Sequence, residues 1–174
     1  MLLAIDVGNT QTVIGVYRGA DLVGMWRVAT NKRHTADELR IKLTPLSASA
    51  GLSFGGVRGS ALASVVPQLT QAWERALRDL TGAETLTCTA QAAAEAGLFQ
   101  ADYPSLREIG ADRVADAVAA KARYGSPVVV VDFGTATNIE VIDREGRFVG
   151  GVIAPGVETS ASALFSHATR LSAI

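Results

Sequence analysis

Two short stretches of the chain combine an aspartate, a glycine and hydroxyl side chains in the same order. "DVGNT" covers residues 6–10, and "DFGTAT" covers residues 132–137. In each stretch an apolar run leads into the aspartate and a second apolar run follows the polar turn, which is typical of a β-hairpin. Glycine lets a ligand approach the backbone closely, and the N–H groups of such a turn form a concave anion site. The two stretches therefore predict a pair of phosphate-binding hairpins.

The carboxylates add a metal ion to this hypothesis. A carboxylate cannot contact a phosphate favourably by itself, so Asp6 and Asp132 imply a Mg²⁺ ion between the carboxylate and the phosphate. The alternative is that Asp6 and Asn9 only stabilise a turn. Two copies at matching positions favour ligand binding over that alternative. Neither stretch is a P-loop, because no Gly-Lys-Ser or Gly-Lys-Thr occurs in the sequence.

A third group of candidate residues lies in "EIGADRVADAV", where an irregular segment gives way to a helical pattern. In one interpretation Asp112 caps the helix and Arg113 is solvated. In the other, Asp112 is a general base beside a cation that binds an anionic substrate. Both can hold, because a capping position fixes a carboxylate rigidly. Tyr103, further upstream, either lines a small pocket or packs against a neighbouring helix.

A fourth stretch, "GGVIAPG" at residues 150–156, brackets a short apolar strand with glycines. Paired glycines indicate a close approach of the backbone to a ligand or to another strand. Thr159 and Ser160 follow, and we predict that they cap the next helix rather than contact a substrate. His167 is predicted to be a surface or interface residue.

The elements that must position these residues can be predicted from periodicity. Three apolar runs with short links open the chain and predict antiparallel hairpins. Thr35 and Glu38 form a capping box at the start of a helix that Pro45 should kink or end. A strand that stops at Pro67 follows, and then an amphipathic helix that ends near Gly82.

The strand plan of the N-terminus recurs in the second part of the chain. Residues 91–110 have no clear pattern and are predicted to form a loop or a weakly helical segment, after which an alanine-rich helix ends near Gly125. The order strand, Asp-x-Gly turn, strand, tight turn, strand then returns, so the chain consists of two related halves. We assign residues 1–112 to the first half and residues 113–174 to the second. Only one candidate helix, from about residue 157 to 171, follows the second set of strands, so the second half is predicted to be incomplete.

Composition narrows the possible function classes. The chain has 174 residues, 48% of them hydrophobic, and a formal net charge of -1, which suits a globular α/β protein and gives no basis for nucleic-acid binding. Charged residues interrupt the apolar runs, and the N-terminus lacks a basic leader, so neither a membrane span nor a signal peptide is predicted. Cys88 is the single cysteine and is predicted to be a small buried hydrophobe in a strand. A cytoplasmic location is the default expectation.

Five motifs together resemble those of the type III pantothenate kinases. "DVGNT", "SVVP", "GADR", "DFGTAT" and "GGVIAPG" occur in the order seen in that family, and the resemblance covers essentially the whole chain. It implies a duplicated ribonuclease H-like fold of the actin-like ATPase and sugar kinase superfamily. It also implies ATP-dependent phosphorylation of pantothenate to 4′-phosphopantothenate, the first step of coenzyme A biosynthesis. Mg²⁺, a monovalent cation (K⁺ or NH₄⁺) and a homodimer with its active site near the interface are implied as well.

The resemblance implies a role for each motif residue. Asp112 matches the catalytic base that takes the proton from the pantothenate hydroxyl. Asp6 matches the carboxylate associated with Mg²⁺, and Asp132 matches the residue linked to the monovalent cation. The implied nucleotide contacts are Asp6, Val7, Gly8, Asn9, Thr10, Gly134, Thr135 and Thr137. The implied substrate contacts are Tyr103, Gly110, Ala111, Arg113 near the carboxylate end, and Thr169 reaching across the dimer.

Two differences from the family pattern lead to further expectations. Asp116 stands where the family commonly has asparagine, one helical turn after Asp112, and two carboxylates this close could raise a pKa. The family chain is normally longer by a C-terminal segment that supplies a glycine-rich loop around the adenosine. The alternative function is therefore a catalytically incomplete fragment or a regulatory protein that binds nucleotide or pantothenate. A different small-molecule kinase of the superfamily is disfavoured, because "GADR" followed by "DFGTAT" is not the sugar-kinase arrangement.

Overall fold

The structure, a computed structural model, describes residues 1–167 and contains two β-sheets flanked by helices. The strands are β1 (Leu2–Val7), β2 (Gln11–Arg18), β3 (Asp21–Ala29), β4 (Gly59–Ser64), β5 (Thr85–Thr87), β6 (Val128–Phe133), β7 (Ala136–Ile142) and β8 (Phe148–Pro155). The α-helices are α1 (Ala36–Ser49), α2 (Pro67–Thr81), α3 (Ala90–Glu95), α4 (Ala111–Tyr124) and α5 (Val157–His167). The predicted α/β class is confirmed.

The first sheet has the strand order β3-β2-β1-β4-β5. β1, β2 and β3 form the predicted antiparallel meander, and β4 and β5 continue the sheet in parallel to β1. Alternate residues of a strand point to the same face, so Leu3, Ile5 and Val7 enter the core together. All three are buried in the hydrophobic cluster to which α1 and α2 contribute. Asp6 lies on the opposite face.

The second sheet has the strand order β6-β7-β8 and is antiparallel throughout. Asp132 on β6 faces Asn138 on β7, as Asp6 on β1 faces Val13 on β2. α4 packs against β6 and β7 on the face that carries Asp132. The second meander therefore repeats the first, as the sequence predicted.

The repetition extends to irregularities of the two meanders. The register of β2 with β3 shifts directly after Val16, and the register of β7 with β8 shifts directly after Val141. When the two aspartates are superposed, Val16 and Val141 occupy the same position. Each faces a glycine on the third strand, Gly24 in the first meander and Gly150 in the second. A bulge shared at one position is strong support for duplication of a whole unit.

The two meanders differ in how their faces are covered. Val129, Val131 and Phe133 of β6 are 58%, 46% and 73% exposed, whereas the equivalent positions of β1 are buried beneath α1 and α2. Within residues 1–167, only α5 follows the second meander. The described part of the second half is therefore less complete than the first, as predicted.

Helix α1 begins as predicted and continues past Pro45. The Thr35 side chain accepts a hydrogen bond from the N–H of Glu38, and the Glu38 carboxylate accepts one from the N–H of Thr35, so the capping box is present. Pro45 does not end the helix, which continues to Ser49. Leu43 is buried against α2 and the first sheet, and this packing outweighs the loss of one backbone hydrogen bond at the proline.

The other predicted helix of the first half is confirmed. Pro67 occupies the first turn of α2, where its missing N–H costs nothing. Trp73 and Leu77 lie on the buried face of the helix. Gly82 follows the last turn with a φ of 66°, a left-handed conformation that favours glycine.

The segment from residue 90 to 110 is more ordered than predicted. It contains α3 and a short 3₁₀ turn at Leu106–Glu108, and Phe99 and Ile109 are buried in a second hydrophobic cluster with α4 and β8. The two clusters divide before residue 90, earlier than the predicted boundary at residue 112, because long-range packing rather than local pattern places this segment. The assignment of residues 1–112 and 113–174 to separate halves stays a proposal.

The helices of residues 1–167 include none that is both long and apolar enough to cross a membrane.

Candidate functional site

The tips of the two Asp-x-Gly hairpins meet. The hydroxyl oxygens of Thr10 and Thr135 are 2.8 Å apart and share a hydrogen bond, although 125 residues separate them in the chain. Thr10 follows β1 in the first hairpin, and Thr135 follows β6 in the second. Both residues are exposed, so their hydroxyl groups face solvent between the halves. The two predicted hairpins therefore face each other in the structure.

The glycines shape the turns rather than offering their own N–H groups. The N–H of Gly8 donates to the carbonyl of Gln11 at 3.0 Å, and the N–H of Gly134 donates to the carbonyl of Ala136 at 2.9 Å. Within residues 1–167, no backbone hydrogen bond engages the N–H groups of Asn9, Thr10 or Thr135. These three donors, at the exposed tips, are the ones left for an anion.

Two predicted nucleotide contacts point away from this cleft. The Val7 side chain is fully buried in the first core, and its carbonyl accepts the N–H of Val65 at 3.1 Å. Thr137 faces Phe133 across β6 and β7, so it lies on the sheet face opposite to Asp132. Val7 can therefore contact a nucleotide only through its backbone. The Thr137 side chain does not lie near the other predicted nucleotide contacts.

Asp112 lies in the first turn of α4 and does not cap it. The N-cap is Gly110, and the Asp112 carboxylate accepts the N–H of Arg113 at 2.8 Å. A Cβ atom on Gly110 would lie 2.5 Å from that carboxylate, so glycine leaves room for it. Ala111 is buried, and its carbonyl faces the thiol of Cys88 at 3.7 Å. The start of α4 therefore holds the Asp112 carboxylate in a fixed position, as a general base requires. Asp112 is held there as a residue inside the helix and not as its N-cap.

Carboxylates from both halves converge near the hairpins. The pKa of Asp6 is raised, first by partial removal from water and then by the negative charges of Asp112 and Asp132. Asp6 and Asp132 come from the two meanders, and Asp112 comes from the helix between them. The structure thus brings the predicted base and both predicted metal-associated carboxylates into one electrostatic cluster.

Asp116 belongs to the same cluster. Its pKa is raised from 3.8 to about 6, chiefly by burial and then by the charges of Asp132, Glu140, Asp112 and Asp6. The predicted rise is confirmed, but burial contributes more than the neighbouring Asp112. A carboxylate in this position lowers the stability of the folded state at neutral pH.

Asp116→Asn should therefore stabilise the protein at pH 7. Because the folded-state pKa exceeds the unfolded value, the contribution of Asp116 to wild-type stability should fall as the pH rises from about 4 through 6 and should level off near pH 7. We expect the variant to lack this decline and to exceed the wild type by about 1–2 kcal/mol at pH 7, because the side chain keeps some solvent contact. Urea unfolding at pH 4, 5, 6 and 7 in metal-free buffer measures the difference. Parallel pH profiles for the two proteins would contradict it.

Arg113 is held in a buried ion pair. Its Nε donates to Oε1 of Glu140 at 3.0 Å, and its guanidinium carbon lies 5.1 Å from the ring centroid of Phe148. Tyr103 packs edge-on against the same ring, with the centroids 6.1 Å apart. Tyr103 therefore packs against Phe148 of β8. Arg113 and Tyr103, both predicted substrate contacts, meet through Phe148.

Sequence reasoning missed Glu140 and Phe148. Glu140 is fully buried on β7, where burial raises its pKa against the opposing effect of Arg113. Its signal in the sequence was a single acid within the apolar run "IEVI". Phe148 at the start of β8 gave no signal beyond its hydrophobicity. Only the tertiary structure shows that the two residues hold Arg113.

The start of α5 closes against the second hairpin. The N–H of Gly156 donates to the carbonyl of Thr135 at 3.0 Å, and the Thr159 hydroxyl donates to the same carbonyl at 3.0 Å. Thr159 and Ser160 lie inside the helix, so the prediction that they cap it was wrong. Thr159 instead ties the helix to the hairpin. Thr169 lies outside the described residues.

A groove of about 370 Å³ opens beside Asp6 on the outer face of the first sheet. Its walls are mainly apolar, and Ala115 of α4 lies along one side. Of the predicted site residues, Asp6 is the one that lines it. The groove therefore borders the carboxylate cluster without containing the predicted base or Arg113.

The carboxylates of Asp6 and Asp132 suit a metal ion that is held partly by the protein and partly by a bound phosphate ligand. Residues 1–167 contain no group of three metal-ligating side chains that could hold an ion alone. Mg²⁺ at phosphate sites is usually bound by one or two carboxylates together with phosphate oxygens and water. Asp6 and Asp132 match that donor set, because the charge of Asp132 raises the pKa of Asp6 and a cation would relieve this repulsion.

Comparison with known proteins identifies related sequences. A family model described as type III pantothenate kinase matches residues 2–174. A type III pantothenate kinase from Thermomicrobium roseum is 44% identical over 172 residues, which cover 98% of this chain and 65% of that protein. One from Geobacter sulfurreducens is 43% identical over 172 residues, covering 98% and 66%. The chain thus spans slightly less than two thirds of the length of these curated relatives.

Solved structures share the fold at low sequence identity. A putative 2-dehydro-3-deoxygalactonokinase from Sinorhizobium meliloti has a TM-score of 0.55 and 14% identity, covering 98% of this chain and 57% of that chain. Ethanolamine utilization protein EutJ from Carboxydothermus hydrogenoformans has a TM-score of 0.52 and 17% identity, with the same coverages. These likenesses show the fold alone, and they confirm the predicted duplicated ribonuclease H-like architecture.

Proposed function

The chain belongs to the type III pantothenate kinase family, and on that premise we propose that it carries out ATP-dependent phosphorylation of pantothenate to 4′-phosphopantothenate, the first step of coenzyme A biosynthesis. The observation that carries the proposal is the meeting of the two hairpins at Thr10 and Thr135, beside a carboxylate cluster that includes Asp112. A kinase needs hydrogen-bonding groups for the phosphates and a base within one cleft, and this arrangement supplies both.

In this proposal the hairpins bind the ATP phosphates. The free N–H groups and side chains of Asn9 and Thr10 contact phosphate oxygens from one side, and those of Thr135 contact them from the other. The turn glycines, Gly8 and Gly134, keep the backbone close to the phosphates. Asp6 and Asp132 would hold Mg²⁺ and the monovalent cation, K⁺ or NH₄⁺, and the cations would neutralise charge on the transferred phosphoryl group.

Asp112 is proposed as the base that takes the proton from the primary hydroxyl of pantothenate. Its carboxylate is fixed by the N–H of Arg113 and by the room that Gly110 leaves. Arg113 binds the pantothenate carboxylate, and Tyr103, Ala111 and Gly110 shape the pocket. Direct in-line transfer requires no covalent intermediate, so the protein acts through positioning and electrostatics.

The finer assignments belong to the same proposal. We infer a homodimer with the active site near the interface and a cytoplasmic location, in keeping with the family resemblance. Thr169 is proposed to contact the substrate across that dimer. A second candidate function is binding of nucleotide or pantothenate without catalysis, which the meeting of the two hairpins alone would support.

One experiment separates the two candidates. The 174-residue chain is incubated with ATP, Mg²⁺, K⁺ and pantothenate, and 4′-phosphopantothenate is quantified, while calorimetry measures the binding of each ligand separately. Turnover supports the kinase. Binding without turnover supports the second candidate, and the absence of both contradicts this section as a whole.

Thr135→Val should weaken ATP use more than it weakens stability. The change removes the hydroxyl that bonds Thr10 and that we propose contacts phosphate, so we expect KM for ATP to rise about five- to tenfold. Unfolding free energy should fall by no more than about 1 kcal/mol. Thr44→Val is the matched control, because its hydroxyl bonds the Arg40 carbonyl on the remote helix α1. An unchanged KM for ATP would remove Thr135 from the phosphate site.

A further inference from the structure

Glu140 is the most thoroughly buried charged side chain near the site, and the proposed chemistry does not use it. It is 0% exposed and lies in the middle of β7, opposite Val130 on one side and Gly151 on the other. Its equivalent in the first meander is Gly15, which lines the open groove. Burying a carboxylate is costly unless it is paired. The residue therefore needs an explanation other than packing.

The pairing of Glu140 with Arg113 uses one atom of each partner. Oε1 of Glu140 accepts the Nε–H of Arg113 at 3.0 Å, while Oε2 is buried without a hydrogen-bond partner among residues 1–167. A bidentate pair would satisfy both oxygens and would also occupy a terminal nitrogen of the guanidinium. A buried pair with an orphaned oxygen is a poor source of stability. The geometry suits orientation of the guanidinium better than it suits stabilisation of the fold.

The surroundings of Arg113 fix its plane and leave its terminal nitrogens available. Phe148 lies against the guanidinium, with 5.1 Å from Cζ to the ring centroid. Gly151 lies beside the terminal nitrogen Nη2, and a Cβ there would stand 2.9 Å from that nitrogen and collide with the carbonyl of Ile139. Gly151 is itself exposed. Among residues 1–167, the guanidinium forms its hydrogen bond through Nε.

We propose that Glu140 is a positioning residue that holds Arg113 by Nε, so that the two terminal nitrogens bind the carboxylate of the acceptor substrate. The inference rests on the proposed function, because it assumes an acceptor that carries a carboxylate. Glu140 acts through Arg113 and does not touch the reacting hydroxyl. It sets the preference for an acidic acceptor over a neutral one of the same shape.

The test separates the position of the Glu140 side-chain oxygen from the negative charge of the side chain. Glu140→Gln keeps the acceptor oxygen at the same distance and removes the charge, whereas Glu140→Asp keeps the charge and withdraws the oxygen by one methylene. The measured quantity is the ratio of kcat/KM for pantothenate to kcat/KM for pantothenol, in which a hydroxymethyl group replaces the carboxylate. Arg113→Ala defines the ratio without a guanidinium, and melting temperatures confirm that each variant is folded.

We expect E140D to lower the ratio about tenfold, towards that of R113A, through a higher KM for pantothenate. E140Q should stay within about threefold of the wild type. Values of kcat and of KM for pantothenol should change little in both variants. A ratio as low as that of R113A in E140Q, or a wild-type ratio in E140D, would overturn the proposal. If E140D does not fold, Glu140→Ala, which removes the acceptor oxygen altogether, takes its place, and its ratio should also fall about tenfold.

A second readout does not depend on the substrate. The Nε–H resonance of Arg113 in nitrogen-edited NMR should stay protected from exchange in the wild type and E140Q and lose protection in E140D. If the wild type neither binds nor phosphorylates pantothenate, the proposed function fails, and this resonance still tests the positioning. Equal protection in all three proteins would contradict the role of Glu140.

Discussion

Asp112→Asn is expected to lower kcat for pantothenate phosphorylation by about 10²–10⁴-fold while changing both KM values less than about threefold. Asparagine keeps the side-chain oxygen that accepts the Arg113 N–H, so the start of α4 and the arginine should remain in place. What the variant loses is the ability to take a proton. Steady-state kinetics with a coupled ADP assay, over a range of both substrates, measures the effect.

The control for this variant is Asp21→Asn, the same chemical change at an exposed position at the start of β3. It should match the wild type in all kinetic constants. If D112N keeps full turnover in a preparation that D21N shows to be active, another group removes the proton. The catalytic base would then be sought among the remaining carboxylates of the cluster, and Asp116 would be the first to examine.

Gly156→Ala should cause the second large loss, because a methyl group there has no space. Its Cβ would collide with the carbonyl oxygen of Gly134 and lie 2.6 Å from that of Thr135. Both atoms are backbone of the second hairpin, so either the hairpin or α5 must move. A displacement of about 1 Å at a catalytic centre typically costs on the order of 10²-fold in rate, and we expect a loss of that size in kcat/KM for ATP.

Gly59→Ala is the matched control for this prediction. Gly59 lies at the start of β4, and its added Cβ would meet nothing nearer than a side-chain carbon of Leu2 at 4.0 Å. That variant should retain wild-type kinetics and stability. Circular dichroism and the melting temperature distinguish a displaced hairpin from a chain that has failed to fold. Normal ATP kinetics in a folded G156A protein would show that the contact between α5 and the hairpin is not needed.

Those features that depend on neighbouring residues could be predicted from the sequence. The hairpins follow from apolar runs that flank short polar turns, and the start of α1 follows from Thr35 and Glu38 three residues apart. The repeat was visible because Asp-x-Gly recurs between similar strands. The repeat did not show that the tips of the two hairpins meet, and the contact between Thr10 and Thr135 is seen only in the structure.

Features that depend on packing between distant elements could not be predicted in this way. Pro45 lies within a helix whose buried leucines outweigh its local preference, and Phe99 gives order to a segment with no periodic pattern. Alternation along β7 places Thr137 and Glu140 on opposite faces, but only the register with β6 shows which face carries Asp132. The ion pair of Arg113 with Glu140 spans 27 residues and has no local signature.

The hydrogen bond between Thr10 and Thr135 also bears on how the protein folds. Each hairpin is local and can form within its own half, on the scale of microseconds. The bond between their tips closes a loop of 125 residues, and loop-closure entropy rises by about 0.6 kcal/mol with each doubling of length. The cleft is therefore assembled late, after both meanders exist and have docked. During refolding, secondary structure should return before nucleotide binding does, and the delay between the two measures the docking of one half on the other.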